Sequence, residues 1–538
     1  MISLQDRLEQ IQRIIVTAEQ MRSIESRIFA AGMPVAALME KVASKLTRRI
    51  ADLYPLLNIQ RVGILVGPGH NGGDALVVAR ELHFKGYEVR LCCPISKLKE
   101  LTESHLRYAT SLGIPCDRQV ESLKSCDLLI DGLFGVGLER SLTEPIASLI
   151  EQVNQWYQPI LSIDLPSGLH TDTGKILGTA IRATHTFCLG LWKLGLLQED
   201  ALEHVGNAEL IDFDLALMDV LAVVGNSPSI QRGTAQAAIA TLPLSRPLTT
   251  HKYKMGHLLL VCGSRRYAGG ALLTGLGARA SGVGMLSIAA PESLKSALSA
   301  QLPEALIIGC LETPTGAIAA FPSSLSLDSF DAIACGPGLT PDATAIVGQV
   351  LASQSPLVLD ADGLNILAQQ GTIATLQRRK ALTVLTPHFG EFKRLFPDLA
   401  EAECRVTAVQ RAAQQTGAIV LLKGARVVIA DAYGATRINP ASTPALARGG
   451  SGDVLTGLMG GLVAQAIAKL PQETSEDLST NSVSVDLIQA SAWWHAQAGI
   501  LAAQERTELG VDAYTLTQFL IPALRHQVNA AHPKAFPN

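Results

Sequence analysis

The chain alternates between helical and extended apolar patterns. From residue 16 to residue 53, apolar side chains recur at the three- and four-residue spacing of amphipathic helices. Residues 61–66 form a short apolar run typical of a strand, and a glycine-rich turn at 67–73 separates it from a helical pattern at 74–85. A second apolar run at 87–93 completes a strand–helix–strand unit.

The same alternation continues through both halves of the chain. Apolar runs at 127–131 and 159–164 predict further strands, the pattern weakens between 214 and 251, and it restarts at residue 257. Strands that alternate with helices predict a mostly parallel sheet covered on both faces. We therefore predict an α/β protein with one domain at 1–225, a linker at 226–250 and a second domain at 251–538.

Composition narrows the class of protein. The chain has 538 residues, 48% of them hydrophobic and 17% charged, and its formal net charge of -4 gives no basic footprint for nucleic acid. Nine cysteines without a Cys-x-x-Cys pair are typical of reduced thiols in a cytoplasmic protein. The start of the chain has no signal-peptide pattern, and no apolar stretch reaches the ~20 residues of a membrane span. We expect a cytoplasmic protein that binds neither nucleic acid nor membrane and has no zinc site, with an exposed loop at 471–484.

Polar motifs follow three predicted strands of the N-terminal half. Gly67-Pro-Gly-His-Asn-Gly72 has the form of a dinucleotide fingerprint, but the next strand ends without the acid that would bind a ribose. The motif is therefore better interpreted as a phosphate-binding loop in which Asn71 and Asp74 add polar contacts. The motifs at 131–137 and 163–168 supply carboxylates and a hydroxyl for a monovalent cation or a sugar phosphate, or acids that only cap turns.

The C-terminal half has its main chemical motif at the start of a predicted helix. Gly449-Gly-Ser-Gly-Asp453 combines close backbone approach with the unsatisfied N–H groups of a helix N-terminus, which together bind anions such as phosphate. Asp453 can accept the proton of a hydroxyl that attacks phosphorus, or it can simply balance the helix dipole. Other strand ends add Lys423 for phosphates, and Asp360 with Asp362 for Mg²⁺.

Four motifs of this half together resemble one family. Gly-Gly-Ser-Gly-Asp at 449–453, Asp-Ala-Asp at 360–362, Thr-Pro-His-x-Gly-Glu at 386–391 and Lys-Gly at 423–424 are similar to the ADP-dependent NAD(P)H-hydrate dehydratases of the ribokinase-like fold. The resemblance implies Asp453 as the catalytic residue and ADP as co-substrate. The residues it implies for the hydrated nucleotide are Ala271, Gly338, Pro387, His388, Gly390, Glu391 and Asp453. Those it implies for ADP are Lys423, Gly424, Ala425, Arg426, Val427, Ala447, Arg448, Gly449, Gly450, Ser451 and Gly452. Val427 and Arg448 stand where the family usually has threonine.

The N-terminal motifs resemble the NAD(P)H-hydrate epimerase domain. This resemblance implies a Rossmann-like three-layer α/β/α fold, catalysis by Asp164, and K⁺ held by Asn71, Asp131 and Ser167. The residues it implies for substrate are His70, Asn71, Gly72, Gly73, Asp74, Gly135, Val136, Gly137, Leu138, Glu139, Arg140, Ser141 and Asp164. His70 and Ala75 stand where the family often has asparagine and glycine.

Together the two resemblances imply one repair function. The N-terminal domain would interconvert the R and S forms of hydrated NADH and NADPH (NADHX and NADPHX). The C-terminal domain would dehydrate the S form with ADP, giving AMP and phosphate, because a phosphorylated hydroxyl leaves more readily than hydroxide. The alternative is a ribokinase-like vitamin-precursor kinase with an N-terminal nucleotide-sensing or scaffold domain. The motif at 386–391 argues against that alternative. We expect small-molecule substrates and a homo-oligomer.

Overall fold

The chain divides into two compact units. The computed structural model describes residues 3–402, 404–470 and 484–531. Unit 1 spans Met1–Pro228 and unit 2 spans Ser229–Asn538. Residues 471–483 of the exposed loop predicted at 471–484 lie outside the described residues.

Unit 1 is built on a seven-stranded sheet in which every neighbouring pair is parallel. The strands of the unit are β1 (Ile15–Val16), β2 (Arg61–Val66), β3 (Glu88–Cys92), β4 (Cys116–Asp117), β5 (Leu128–Gly132), β6 (Ile160–Ile163), β7 (His185–Leu189), β8 (Trp192–Lys193) and β9 (Asn207–Ile211). The sheet order is β4-β3-β2-β5-β6-β7-β9. The helices are α1 (Leu4–Arg13), α2 (Ala18–Ala30), α3 (Val35–Leu53), α4 (His70–Phe84), α5 (Glu100–Ser111), α6 (Ile146–Asn154), α7 (Leu202–Val205) and α8 (Leu217–Val224).

Apolar side chains cover both faces of this sheet. Alternate residues of one strand point to opposite faces, so Ile64 and Ile130 pack in one buried cluster while Leu65 and Leu129 pack in another. A sheet buried on both sides explains why its strands are continuous apolar runs and confirms the predicted three-layer α/β/α fold.

Helix α4 begins earlier than the sequence pattern predicts. We expected the helix to start near Asp74, but it starts at His70, so the predicted phosphate-binding loop is partly the first helical turn. Glycine is a poor helix former. Here close packing overrides propensity, because a Cβ at Gly72 would overlap the Gly67 carbonyl oxygen and one at Gly73 would lie 2.6 Å from Met39 Cε.

Strands β1 and β8 form a separate parallel pair near the N-terminus of unit 1. Ile15 aligns with Trp192 and Val16 with Lys193. Thr17 then begins α2 with a capping box shared with Gln20. The pairing therefore fixes the start of α2 beside the strand that carries Lys193.

Unit 2 contains an eleven-stranded mixed sheet. Its strands are β10 (Ile230–Arg232), β11 (His257–Val261), β12 (Met285–Pro291), β13 (Leu306–Glu312), β14 (Ile318–Ala320), β15 (Ala332–Cys335), β16 (Leu357–Leu359), β17 (Thr383–Leu385), β18 (Ile419–Leu422), β19 (Val427–Ala430) and β20 (Thr436–Asn439). Their order is β10-β20-β19-β18-β17-β16-β15-β11-β12-β13-β14, parallel from β18 through to β13. The helices are α9 (Ala235–Thr241), α10 (Ala268–Ser281), α11 (Lys295–Gln301), α12 (Thr344–Ala352), α13 (Ala361–Gln370), α14 (Thr372–Arg378), α15 (Phe389–Leu395), α16 (Arg405–Thr416), α17 (Ser451–Ile467), α18 (Val485–Arg506) and α19 (Ala513–Ala531).

The segment expected as a linker at 226–250 is largely part of unit 2. Strand β10 pairs in parallel with β20, and α9 follows it with Thr234 as its side-chain cap. Ala238 and Ile239 of α9 are buried in the core of this unit. The linker prediction was wrong because β10 is too short to give a periodic pattern, and its partner lies about two hundred residues further along the chain.

Helices α10 and α17 touch backbone to backbone. A Cβ at Gly457 would overlap the Thr274 carbonyl oxygen, and one at Gly277 would overlap the Val454 carbonyl oxygen. The two helices therefore meet through reciprocal glycines, within the first two turns of α17.

The helices include no candidate for a membrane span. Among residues 3–402, 404–470 and 484–531, none of the helices is long and apolar enough to cross a bilayer.

Candidate active sites

A cavity of about 320 Å³ lies at the carboxyl ends of the parallel strands of unit 1. Parallel α/β sheets bind ligands at this edge. Of the residues predicted for substrate, those that line the cavity are His70, Asn71, Asp74, Gly135, Val136, Gly137, Leu138 and Asp164. The wall also contains Met21, Glu25 and Phe29, which follow one another at four-residue spacing on α2.

The remaining predicted residues of unit 1 lie outside the cavity wall. Gly72 and Gly73 are buried packing positions. Glu139, Arg140 and Ser141 are exposed, and Glu139 accepts a 3.1 Å hydrogen bond from Arg22. Substrate contact by these three residues stays a prediction.

Asp164 is held in an unusual backbone conformation at the end of β6. Its φ is 68°, in the left-handed region that non-glycine residues rarely adopt, and its N–H donates to the Phe187 carbonyl at 2.8 Å. Its carboxylate accepts a 2.5 Å hydrogen bond from Lys193 Nζ and a 3.2 Å bond from the Leu189 N–H. Positive φ at a strand end marks this carboxylate as a functional candidate.

Lys193 and Glu25 are cavity residues that the sequence analysis did not identify. Burial alone would lower the pKa of Lys193, but the Asp164 carboxylate and other neighbours outweigh it and the pKa is raised. Burial raises the pKa of Glu25, and burial together with the Asp164 charge raises that of Asp74 well above its usual range. Two sequence features could have indicated these residues. Glu25 is a carboxylate between Met21 and Phe29 on an apolar helix stripe, and Lys193 is a lysine within an apolar segment.

Asp131 is fully buried next to this cavity. Its carboxylate accepts hydrogen bonds from Ser162 Oγ at 2.8 Å, from Ser167 Oγ at 2.6 Å and from the Ser167 N–H at 2.9 Å. Burial raises its pKa, although these bonds oppose the rise. Each of these donors is a neutral group, so the negative charge of an ionised Asp131 is not balanced by them.

The residues predicted to hold K⁺ carry oxygen atoms of the kind that such a cation binds. Asp131 and Ser167 are bonded to each other, and Asn71 supplies an amide oxygen. A Cβ at Gly135 would lie 3.3 Å from both Asn71 Oδ1 and Asp164 Oδ2, so the predicted cation ligand and the candidate catalytic acid adjoin one loop.

In unit 2, the loops after five neighbouring strands meet at one edge of the sheet. Strands β11, β15, β16, β17 and β18 are parallel and adjacent. Gly336 lies against the Asp360 carbonyl, Thr386 N–H donates to the Leu359 carbonyl at 3.1 Å, and Lys423 N–H donates to the Pro387 carbonyl at 2.8 Å. The Gly336-Pro-Gly338 turn and the predicted motifs at 360–362, 386–391 and 423–424 thus form one continuous surface.

Asp453 lies in the first turn of α17 and faces this surface. The cap residue Gly450 has φ 91°, a left-handed conformation that favours glycine. A Cβ at Gly270 would lie 3.5 Å from Asp453 Oδ2 and equally close to Gly338, so these three residues surround one space. Burial, followed by the charge of Asp360, raises the pKa of Asp453 to about 6 despite the opposing charge of Lys423.

Lys423 and Asp360 form an internal network instead of two free ligand groups. Lys423 Nζ donates to Asp360 Oδ1 at 2.7 Å, and Thr456 Oγ1 donates to Asp360 Oδ2 at 2.7 Å. Burial would lower the pKa of Lys423, but Asp360 and Glu391 raise it. A Cβ at Gly452 would lie 3.3 Å from Lys423 Nζ, so the ammonium lies against the first turn of α17.

The carboxylates predicted to hold Mg²⁺ have hydrogen-bond partners within the protein. Both oxygens of Asp360 are bonded within the protein, and Asp362 Oδ2 accepts a 3.0 Å hydrogen bond from the Thr340 N–H. Within the described ranges there is no group of three or more His, Cys, Asp or Glu residues that could hold a metal ion. Both side chains thus make internal contacts, and Mg²⁺ binding by Asp360 and Asp362 stays a prediction.

His388 and Glu391 cap helix α15 together. His388 Nδ1 accepts hydrogen bonds from Gly390 N–H at 3.0 Å and Glu391 N–H at 3.3 Å, and Glu391 Oε2 accepts one from His388 N–H at 2.8 Å. Burial raises the pKa of Glu391, with Lys423 opposing it. The imidazole Nε2 lies 3.5 Å from Glu391 Oε1, and the His388 side chain is exposed, so a ligand can reach the ring.

The other residues predicted for unit 2 differ in accessibility. Ala271 is fully buried and packs under Gly263, so its side chain is not available to substrate. The exposed residues are Gly424, Ala425, Ala447, Arg448 and Gly449. Arg448 donates to the Leu509 carbonyl at 2.8 Å, and Arg426 donates to the Pro440 carbonyl. Half-buried Val427 begins β19, opposite Asn439.

His495 is a further residue of this site that the sequence analysis did not identify. It is buried on α18, and its Nε2–H donates to the Ser451 carbonyl at 2.9 Å. Burial lowers its pKa to about 4, so the ring is neutral. His495 lies 44 residues after Ser451 in the chain, so no local sequence pattern links this histidine to the turn that it contacts.

Comparison with known proteins identifies close relatives along nearly the whole chain. A family model described as NAD(P)H-hydrate dehydratase matches residues 258–522, and one described as YjeF-related protein N-terminus matches residues 35–195. A bifunctional NAD(P)H-hydrate repair enzyme from Synechocystis sp. is 55% identical over 513 residues, covering 95% of each chain. The protein of the same description from Thermosynechococcus vestitus is 50% identical over 517 residues, covering 96% of this chain and 98% of its own.

A solved structure shows a more limited likeness. The crystal structure of an ADP/ATP-dependent NAD(P)H-hydrate dehydratase from Bacillus subtilis, co-crystallised with ATP and Mg²⁺, is 29% identical. It covers 55% of this chain and 97% of its own, with a TM-score of 0.43.

Proposed function

The chain belongs to the family of bifunctional NAD(P)H-hydrate repair enzymes, and on this premise we propose how its two units divide the work. It is an enzyme with an NAD(P)H-hydrate epimerase domain and an ADP/ATP-dependent dehydratase domain. We assign R/S interconversion of NADHX and NADPHX to the cavity of unit 1, and dehydration of the S form to the strand-end surface of unit 2.

One observation carries the dehydratase assignment. Asp453 lies in the first turn of α17, and its carboxylate, Gly270 and Gly338 surround one space at the anion-binding helix start. A phosphate bound at that turn and a substrate hydroxyl near Gly338 would both be within reach of the same carboxylate. With a pKa of about 6, Asp453 is ionised at neutral pH yet basic enough to accept a proton.

The dehydration proceeds in two steps under this proposal. The hydroxyl of the S form attacks the terminal phosphorus of ADP, Asp453 takes the hydroxyl proton, and AMP leaves. The C–O bond of the phosphorylated intermediate then breaks, phosphate departs, and loss of a ring proton restores the double bond of NAD(P)H. ADP as the preferred nucleotide, and AMP with phosphate as products, belong to the proposal.

In unit 1, the carboxylate of Asp164 is the group we assign to proton transfer during epimerisation. It faces the cavity, and hydrogen bonds from Lys193 and Leu189 fix its orientation. Asn71, Asp131 and Ser167 would hold K⁺, whose positive charge would favour binding of the substrate's phosphates. The exposed Glu139, Arg140 and Ser141 would meet the outer part of the nucleotide.

Two matched variants test this division of labour. Asp164→Asn should stop the conversion of R-NADHX without affecting dehydration of S-NADHX with ADP. Asp453→Asn should do the reverse and still bind ADP. Loss of both activities in either variant would contradict the assignment. We further propose that the enzyme is cytoplasmic and acts as a homo-oligomer, which cell fractionation and light scattering can test.

A further inference from the structure

Three carboxyl groups and one ammonium share the cavity of unit 1. Glu25 comes from α2, Asp74 from α4, Asp164 from the end of β6, and Lys193 from β8, all of them in the cavity wall. The remaining groups that face this cluster are the Cys188 thiol, whose pKa burial raises to about 11, and His70 with Lys99 on the wall. Three carboxylates close together cannot all be ionised beside one cation without strong repulsion.

The geometry distinguishes one carboxyl group from the other two. Lys193 is buried, and its Nζ donates to Asp164 Oδ1 and to the Leu189 carbonyl, both at 2.5 Å. Glu25 and Asp74 influence the cluster through their charges, and burial raises the pKa of each. The ammonium is thus bonded to Asp164 in particular, whereas Glu25 and Asp74 interact with the cluster through their charges.

The orientation of Lys193 depends on the start of the chain. Strand β8 pairs with β1, which aligns Val16 with Lys193, and the capping box at Thr17 then starts the helix that carries Glu25. The Leu189 carbonyl takes a second hydrogen bond from the ammonium. This arrangement limits the directions in which Nζ can point.

We propose that Lys193 is a positioning residue for epimerisation: of the three carboxyl groups in the cavity wall it pairs with Asp164, and it thereby selects that carboxylate as the proton acceptor and aims it at the substrate. This inference rests on the proposed function of the cavity. A proton-transfer reaction at a hydroxyl-bearing carbon needs one group ready to accept a proton and another ready to donate it. Lys193 establishes that difference, with Asp164, to which it is bonded, as acceptor and Glu25 or Asp74 as donor.

The test compares pH profiles of epimerisation in the full-length protein, using R-NADHX. Lys193→Met removes the charge at similar size, Lys193→Arg keeps it, and Lys45→Met removes a surface lysine that pairs with Asp214. We expect Lys193→Met to lower kcat by roughly 100-fold at pH 7, with little change in KM. The acid limb of its pH profile, where the rate falls with decreasing pH, should move to higher pH by about one unit or more, because the carboxylate has lost its buried cation. Lys193→Arg and Lys45→Met should keep the wild-type limb.

The second activity of the chain provides an internal control. Dehydration of S-NADHX should stay within about twofold of wild type in all three variants, since unit 2 contains the assigned dehydratase residues. A Lys193→Met protein that epimerises with the wild-type acid limb would overturn the inference. If that variant does not fold, as judged by circular dichroism of the full chain, Lys193→Gln, which also removes the charge, decides: a displaced limb supports the inference and the wild-type limb overturns it.

Failure of the underlying assignment has a different outcome. If Asp164→Asn still epimerises R-NADHX, the proposed site itself is wrong, whatever Lys193→Met does. If Asp164→Asn is inactive and Lys193→Met keeps the wild-type profile, only the role of Lys193 is wrong.

Discussion

The Lys423 ammonium and the Asp360 carboxylate form a 2.7 Å ion pair directly beneath Gly452, in the first turn of α17. The sequence suggested that both side chains would extend freely toward a ligand, but they are bonded to each other. The pair instead supports the helix start that we assign to phosphate binding, and Thr456 on the next turn bonds to the same carboxylate.

Lys423→Met should therefore destabilise unit 2 as well as impair catalysis. Removing one partner of a buried pair leaves the other charge uncompensated, which costs about 3–5 kcal/mol. Urea denaturation of the full-length protein measures the loss, with exposed Lys380→Met as the control. Equal stability of the two variants would contradict a structural role for the pair.

Asp453 should control the pH dependence of dehydration. Its pKa of about 6 means that the carboxylate becomes protonated, and unable to accept a proton, as the pH falls through that value. The rate should therefore decrease below about pH 6, and Asp453→Asn should lower kcat by about 10²–10⁴-fold. Steady-state rates between pH 5 and 8 check both statements. A flat profile across that range would exclude Asp453 as the base.

His495 should make the protein less stable in mild acid. The folded-state pKa is about 4, against 6.5 for an ordinary histidine, so its contribution is complete above pH 6.5 and is lost as the pH falls toward 4. The expected loss between pH 7 and 5 is about 2 kcal/mol. Urea denaturation of wild type and His495→Gln at the two pH values isolates it, because the variant should lack this component.

Gly457→Ala should damage dehydration from a position outside the site. The new methyl group would overlap the Thr274 carbonyl and force α17 away from α10, displacing Asp453. On α12, Gly348 has only Gln370 Nε2 near a Cβ, at 3.9 Å, so Gly348→Ala should stabilise the protein by about 0.5–1 kcal/mol. Thermal unfolding should show a lower melting temperature for Gly457→Ala and a higher one for Gly348→Ala. Dehydration should be lost only in Gly457→Ala.

Epimerisation should depend on K⁺ through Asp131. Replacing KCl with choline chloride at equal ionic strength should slow R-NADHX conversion, because the buried carboxylate then lacks a mobile counterion. Asp131→Asn should be slower and insensitive to that exchange. Dehydration of S-NADHX measures the effect of the salt on unit 2, and an equal response of both activities would argue against a K⁺ site at Asp131.

The sequence predicted features that depend on neighbouring residues. Strands β2 and β5, the helix start at Ser451 and the polar strand ends all follow from apolar runs and the residues that interrupt them. Features that depend on distant contacts were missed. Lys193 becomes a site residue only when β6 brings Asp164 beside it, and β10 becomes a strand only by pairing with β20.

The contacts of charged residues differed most from expectation, because they too depend on residues that are distant in the sequence. Asp360 follows a buried strand, as a metal ligand would, yet Lys423 and Thr456 already bind both of its oxygens. A sequence pattern locates a carboxylate at the correct edge of a sheet. It does not reveal whether another side chain of the protein has reached that carboxylate first.

The glycine contact between α10 and α17 has a consequence for how a ligand can be accommodated. Two backbones in direct contact leave no side chain that could rotate to widen or narrow the gap, so the separation of Gly270 from Asp453 is fixed before any ligand arrives. Adjustment to different nucleotides then falls to the exposed residues Gly424, Ala425, Ala447 and Gly449 at the rim. Selectivity among nucleotides can accordingly change at the rim by substitution while the position of the reacting carboxylate stays the same.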